Sequence, residues 1–230
     1  MTGLGHERIW QVIGDQRRSL ADLLDGLSGE QWRHPSLCAG WTVKDVAAHL
    51  TLQQLGPRDL LGTMVRWRGT MDRTIQHEAR RRAASWTTGQ LTAELRTMAG
   101  SRRKTLGLTE LEPLTDVLVH SQDIALPLGL RLDMPPDAAA ASAARTLAMR
   151  WPPPLPTVRV VRGFGLAATD VAWSAGTGPE VTGPISALLL ICCGRTAALP
   201  QLTGPGVPLL AAALTSPQRR WWRSRGTTVH

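Results

Sequence analysis

An apolar helix-forming stretch that carries three ionisable side chains constrains this chain most. In the run DVLVHSQDI, Asp116 precedes His120 by four residues and Asp123 follows it by three, so all three share one helix face. Because an isolated charge is costly to bury, these groups must pair or bind a cation. The spacing alone leaves both an Asp116–His120 ion pair and a metal site open.

A second helix carries another histidine in apolar surroundings. Thr42 and Asp45 have the spacing of a capping box, which predicts a helix that begins here and places His49 one turn further in. His49 is then either a core histidine bonded to backbone or water, or a metal ligand that faces Asp116 and His120. Two nitrogens and one carboxylate oxygen suit zinc or another divalent metal, and three protein ligands leave one position open.

The chain of 230 residues has a formal net charge of +8, which raises the question of nucleic-acid binding. Basic residues cluster at 80–82, 102–104 and 219–225, but no aromatic platform is interleaved with the first two clusters and tyrosine is absent. The distribution therefore disfavours a nucleic-acid partner. The alternative would use residues 80–82 and the Trp221-Trp222 pair.

The cysteines exclude a disulfide scaffold, because there are three and two of them, Cys192 and Cys193, are adjacent. We expect a reducing, cytoplasmic setting. Cys38 is interpreted as a structural residue, since only His34 lies near enough in sequence to activate its thiol. No signal peptide is expected, and the longest apolar run, residues 185–193, is shorter than the roughly 20 residues of a membrane span.

The first 134 residues are predicted to form a bundle of about four helices. Apolar residues recur at helical spacing over 10–27 and 91–98, the latter behind a Thr87-x-x-Gln90 capping pattern. Gly56-Pro57 should end or kink the helix that begins near Thr42.

The predicted connector, residues 135–154, consists of a helix over residues 137–150 and prolines at 152–154, and Pro156 follows directly. Beyond it, segments 157–161, 165–169 and 171–174 read as short strands, and residues 185–193 read as an apolar helix that ends at Gly194. We predict a small α/β domain over 155–214 and a basic, disordered tail over 215–230. The fold class is therefore α+β, with the helical part first.

Three runs of sequence resemble one known family. GLSGEQWRHPSLCAGWTVKDVAAHL (residues 26–50), LTDVLVHSQDIALPLG (114–129) and LAATDVAWSAGTGPEVTGPISALLLICCGR (166–195) are similar to the mycothiol-dependent maleylpyruvate isomerases, which belong to the DinB/YfiT-like metal-binding bundles. The resemblance implies a DinB-like four-helix bundle that holds a divalent metal, usually zinc, and a small carboxy-terminal α/β domain. It also implies mycothiol, a low-molecular-weight thiol, as a cofactor.

The resemblance also assigns roles to individual residues. It implies that His49, Asp116 and His120 bind the metal, although Asp116 stands where the family commonly has the longer glutamate. Asp123 matches a frequent family aspartate that would orient a ligand or a neighbouring arginine. Arg195 matches an arginine that reaches the substrate carboxylate, so we count it among the catalytic and cofactor-binding residues; a cation that simply favours its helix end is the alternative.

These features predict a metal-dependent isomerase or transferase. The metal would activate mycothiol for addition to a small electrophilic, anionic substrate. The alternatives are a metal-stabilised binding or regulatory protein without turnover and, less favoured, a basic nucleic-acid-binding protein. The sequence leaves the oligomeric state and the substrate open.

Overall fold

The computed structural model describes residues 4–54, 66–105, 107–150 and 155–215. The chain divides into two compact units, residues 1–138 and 139–230. The finer domain limits predicted at 134, 154 and 214 stay a prediction. The Gly56-Pro57 kink, the prolines at 152–154 and the basic tail from residue 216 lie outside the described residues.

The first unit is helical in its described parts. Its helices are α1 (His6–Asp25), α2 (Gly29–Arg33), α3 (Val43–Leu50), α4 (Met71–Ser85), α5 (Thr88–Ala99), α6 (Leu111–Ala125), a 3-10 turn (Leu126–Leu128) and the start of α7 (Pro136–Ala148). Helix α1 packs against α5 and α6, while α3 packs against α4, α5 and α6. The predicted helical amino-terminal part is therefore confirmed, and its assignment to the DinB type stays a prediction.

One glycine sets the distance between α1 and α5. A Cβ atom built on Gly14 would lie 2.7 Å from the carbonyl oxygen of Ala99, closer than a real Cβ approaches any atom. The small residue therefore lets the first helix lie directly against the end of α5. Alongside it the helices share an apolar core that includes Leu20, Leu24, Val46, Leu50, Leu91, Leu95 and Ile124.

The capping boxes predicted from sequence are present. The Thr42 hydroxyl accepts from the Asp45 backbone N–H while the Asp45 carboxylate accepts from the Thr42 N–H, and Thr87 and Gln90 repeat the pattern at the start of α5. Each box satisfies two N–H groups that a helix start leaves without partners. The start of α3, and with it the position of His49, is thereby fixed.

A buried carboxylate anchors α4. Glu78 is 5% exposed and accepts from Arg66 Nε at 2.7 Å and from Arg81 Nη2 at 2.7 Å. The hydrogen bond from Arg66 and that from Arg81 outweigh the effect of burial and lower the pKa of Glu78 to about 2.

The second unit contains a three-stranded sheet. The rest of α7 is followed by α8 (Pro156–Val161), β1 (Gly165–Ala168), β2 (Ser174–Ala175), β3 (Glu180–Gly183), α9 (Ile185–Cys192), a 3-10 helix (Thr196–Gln201) and α10 (Val207–Thr215). The strand order is β2-β1-β3, with β2 antiparallel and β3 parallel to β1. The register pairs Leu166 with Ala175 and with Val181. The small mixed sheet confirms the predicted α+β class.

Two strand predictions in this unit are wrong. Residues 157–161 are helical. Pro156 lies in the first turn, where its fixed φ angle is that of a helix, and the two buried valines at 158 and 161 share one helix face. Residues 171–173 lie before β2 rather than within a strand, whereas β3 was not predicted. The helix that ends at Gly194, which has a φ of +87°, is confirmed.

The described helices include none that combines the length and the apolar character needed to cross a membrane.

Candidate metal centre

Three predicted ligand residues converge in the first unit. Helix α3 supplies His49, and one face of α6 supplies Asp116 and His120. One nitrogen from each histidine and one oxygen of Asp116 lie within 4.8 Å of one another. The rings of His49 and His120 meet edge to face with centroids 4.8 Å apart. The structure therefore places together the residues that the two sequence motifs singled out.

His120 lies against the carboxylate of Asp123. The His120 Nδ1 lies 2.8 Å from Oδ2 of Asp123, and the Asp123 side chain is completely buried. A carboxylate accepts but does not donate, so this contact places the imidazole proton on Nδ1. The other ring nitrogen, Nε2, then directs its lone pair toward Asp116 and His49. The sequence predicted that Asp123 orients a ligand or a neighbouring arginine. Its contact with His120 is compatible with that role, which stays a prediction.

Cys38 lies against the same aspartate, which the sequence did not reveal. Its Sγ lies 3.0 Å from Oδ2 of Asp123 and 3.5 Å from Nδ1 of His120. Because the Leu37 backbone N–H donates to the Asp123 carbonyl oxygen at 3.1 Å, the loop before α3 is attached to α6. Cys38 is half-buried against polar groups, so the interpretation as a structural thiol with only His34 nearby was incomplete. Cys38 and Asp123 are 85 positions apart, so no local sequence signal could have predicted this contact.

His49 is held differently from His120. Its side chain is 14% exposed and the Trp41 ring contacts it edge to face at a centroid distance of 5.4 Å. Within the described ranges, its buried Nδ1 has no hydrogen-bond partner. Its Nε2 lies 3.6 Å from Oδ2 of Asp116, which is too long for a hydrogen bond.

Asp116 completes the group and carries its negative charge. Desolvation raises the pKa of this carboxyl group, but the neighbouring His49 and His120 imidazoles and the Gln53 amide outweigh it and hold the pKa well below its ordinary value. Asp116 is therefore ionised at neutral pH. An ionised carboxylate and two imidazole nitrogens form the donor set found in many zinc sites.

The donor atoms of this group lie near one another, at separations somewhat longer than those between ligands that share one metal ion. Two ligands of a tetrahedral zinc, with bonds of about 2.0–2.1 Å, lie about 3.3 Å apart. Nε2 of His49 is 3.6 Å from one oxygen of Asp116, and Nε2 of His120 is 3.9 Å from the other. In the part of the chain that the structure describes, no further His, Cys, Asp or Glu joins this trio.

Arg195 lies in the second unit, directly before the 3-10 helix Thr196–Gln201. Its Nη1 donates to the carbonyl oxygen of Cys193 at 2.6 Å, and its backbone N–H donates to the carbonyl oxygen of Leu190. The guanidinium therefore contacts the end of α9, in keeping with the helix-end alternative. Its predicted role toward a substrate carboxylate stays a prediction.

The first basic cluster makes contacts within the protein. Arg80 donates to the Gly40 carbonyl oxygen, Arg81 to Glu78, and Arg82 to Thr51 while stacking on Trp86 at 4.5 Å. The contacts of Arg80 and Arg82 join α4 to neighbouring segments, whereas that of Arg81 lies within α4. The Trp221-Trp222 pair of the nucleic-acid alternative lies outside the described residues.

Comparison with known proteins finds a family match within the first unit. Residues 13–113 match the model of the mycothiol maleylpyruvate isomerase N-terminal domain, a range that includes His49 and ends before Asp116. No curated protein was found to match the sequence.

Comparison with solved structures identifies the same fold. The crystal structure of the mycothiol-dependent maleylpyruvate isomerase matches with a TM-score of 0.60 and 16% sequence identity, over 89% of this chain and 96% of that chain. The crystal structure of a histidine-to-alanine mutant of that isomerase gives the same values. Residues 13–113 therefore belong to the family of mycothiol maleylpyruvate isomerase N-terminal domains, which confirms the family that the sequence motifs predicted.

Proposed function

We propose that this protein is a divalent-metal-dependent enzyme of the maleylpyruvate isomerase type. It would use a low-molecular-weight thiol, mycothiol, to isomerise a small electrophilic, anionic substrate or to form a conjugate with it. The observation that carries the proposal is the convergence of His49, Asp116 and His120, together with the contact between His120 Nδ1 and Asp123. The thiol and the substrate class rest on the family and on the similar isomerase structure.

His49, Asp116 and His120 would hold the metal. When bound there, a divalent ion such as zinc would supply Lewis acidity, which would lower the pKa of a coordinated thiol. Three donors converge among the residues that the structure describes, and three protein ligands are the arrangement of catalytic zinc sites, which keep a position for a substrate, whereas structural sites use four. The arrangement therefore supports an enzyme over the metal-stabilised binding protein.

The residues around the donors would orient them for metal binding. Asp123 fixes the proton of His120 on Nδ1, so that Nε2 remains free to bind. Asp116 contributes one negative charge, which offsets part of the charge of a divalent ion. Arg195 would bind the substrate carboxylate by paired hydrogen bonds, as the resemblance implies.

Metal analysis is the first test of this proposal. Purified wild-type protein is expected to contain about one divalent ion per chain, and His49→Ala and His120→Ala are expected to lose it. His77→Ala is the matched control, because His77 lies on α4 and contacts Arg68 rather than the trio. Stoichiometric metal in both site variants would refute the metal centre.

Calorimetric titration of the metal-loaded protein separates thiol use from metal binding. Mycothiol is expected to bind, and glutathione and bacillithiol to bind more weakly or not at all. A metal-loaded protein that gives no heat with any of the three thiols would keep the metal centre and reject the thiol-dependent reaction.

A further inference from the structure

A completely buried arginine lies behind the candidate metal centre. Arg17 of α1 is 0% exposed, although arginine is almost never fully buried without partners. Its Nη1 donates to the Met98 carbonyl oxygen at 2.9 Å and its Nη2 donates to Oε1 of Gln53 at 3.0 Å. Among the described residues it forms no ion pair within 4 Å. The cost of burying its charge therefore calls for an explanation.

Gln53 connects this arginine to the site. Its Nε2 donates to Oδ2 of Asp116 at 3.1 Å, while its Oε1 accepts from Arg17. The backbone carbonyl oxygen of Gln53 also accepts from the Thr105 hydroxyl at 3.1 Å. The glutamine is thus held at its backbone and at both ends of its amide.

The chemistry of the pair fixes which way the amide faces. A guanidinium has five N–H donors and no acceptor, so only the oxygen of Gln53 satisfies it. The NH₂ group must then face the carboxylate of Asp116. Asn and Gln amides are otherwise ambiguous in orientation, and the buried arginine removes that ambiguity.

We propose that Gln53, oriented by Arg17, is a positioning residue for Asp116. By donating to Oδ2 it restricts rotation of the carboxylate that lies between the two histidines, 3.6 Å from His49 Nε2 and 3.9 Å from His120 Nε2. The restriction matters because part of the Asp116 side chain is exposed although its carboxyl group is desolvated, so packing alone does not fix its rotamer. This inference rests on the proposed metal-dependent function.

Two of the candidate ligands are then each held by a hydrogen bond with a neighbouring side chain. Asp123 holds His120 through an acceptor, and Gln53 holds Asp116 through a donor. Groups that hydrogen-bond metal ligands in this way typically change metal affinity 10- to 100-fold when they are removed.

The test measures zinc affinity by competition with a chromogenic chelator. Gln53→Leu removes the donor and is expected to weaken zinc binding 10- to 100-fold. The matched control is Gln16→Leu, because Gln16 is a buried glutamine next to Arg17 in sequence whose amide donates to the Asp133 carbonyl oxygen instead. This control is expected to bind zinc within about twofold of wild type.

A double-mutant cycle separates positioning from a structural effect. In an Asp116→Ala background, with a weaker competing chelator, Gln53→Leu is expected to cause no further loss, because the carboxylate on which it acts is gone. The visible spectrum of the cobalt-loaded protein gives a second readout, since its intensity follows the ligand geometry. Gln53→Leu should change that spectrum and Gln16→Leu should not.

The outcomes distinguish this inference from the proposed function. Wild-type affinity and spectrum in Gln53→Leu, or an equal loss with and without Asp116, would overturn the positioning role while the metal centre stands. A wild-type protein that binds no divalent metal would overturn the proposed function and this inference with it.

Discussion

Replacing Asp123 by asparagine tests whether the hydrogen bond to His120 prepares the metal centre. The two side chains have nearly the same shape, so the substitution removes charge while it keeps volume. In the wild-type protein the carboxylate accepts from His120 Nδ1 at 2.8 Å and from Cys38 Sγ at 3.0 Å. An amide group can also turn its NH₂ toward Nδ1, which would move the imidazole proton to Nε2 and block the site.

The expected size follows from the strength of this hydrogen bond. A hydrogen bond to a charged group contributes about 1.5–3 kcal/mol, and a neutral one about 0.5–1.5 kcal/mol, so the difference is roughly 1–2 kcal/mol. At about 1.4 kcal/mol per tenfold, Asp123→Asn should weaken zinc binding by roughly 5- to 30-fold. A population with the wrong tautomer would increase this loss.

Zinc competition with a chelator, together with thermal unfolding of the metal-free protein, measures the effect. Asp137→Asn is the control, because the Asp137 carboxylate also accepts two hydrogen bonds, from Arg8 Nε and from the Ala138 backbone N–H, both at 2.9 Å, on a helix that carries none of the candidate ligands. This change should cost at most about 1 kcal/mol of stability and leave zinc affinity nearly unchanged. Zinc affinity equal to wild type in Asp123→Asn would refute the reasoning.

Three further predictions concern stability. Gly14→Ala should destabilise the protein by about 1–3 kcal/mol, because the added Cβ would clash with Ala99. The control Gly89→Ala, whose Cβ would have no atom within 4 Å, should cause no such loss of stability. Denaturant titration compares the two variants. The lowered pKa of Glu78 means that its stabilisation, roughly 1–2 kcal/mol after solvent screening, is complete above pH 4.5 and is lost as the pH falls toward 2. Titrations across this range should show that dependence, and Glu78→Gln should lack it. Zinc at 100 times its Kd should add about 2.7 kcal/mol, or roughly 5–10 °C in Tm by calorimetry, and His49→Ala should show no such gain.

The helical framework of the candidate site was predictable because local signals determine it. The i,i+4 spacing of Asp116 and His120 fixes their shared face on any helix, and the Thr42 capping box fixes where α3 begins. Apolar surroundings then made His49 and His120 the histidines to expect inside the unit. These signals depend on neighbours in sequence, which is why they could be interpreted without a structure.

The contacts that support the site could not be predicted in this way. Cys38 approaches Asp123 only because its loop bonds to α6, and Arg17 reaches Gln53 only because α1 passes beside the turn that follows α3. In the second unit, the valines near residue 160 favoured a strand by β-propensity. Because that preference is weak and depends on context, Pro156 and burial of one helix face overrode it.

The two histidines of the centre are prepared to different degrees. The proton on His120 is fixed by a buried carboxylate, whereas Nδ1 of His49 has no hydrogen-bond partner within the described ranges and its ring is placed by packing against Trp41. Fixing a tautomer keeps a lone pair ready to bind, so in the proposed metal centre His120 would be the better prepared of the two imidazoles. His49 would have to adopt its binding tautomer when a metal arrives. We therefore expect the metal affinity to depend more on the support of α6 than on that of α3.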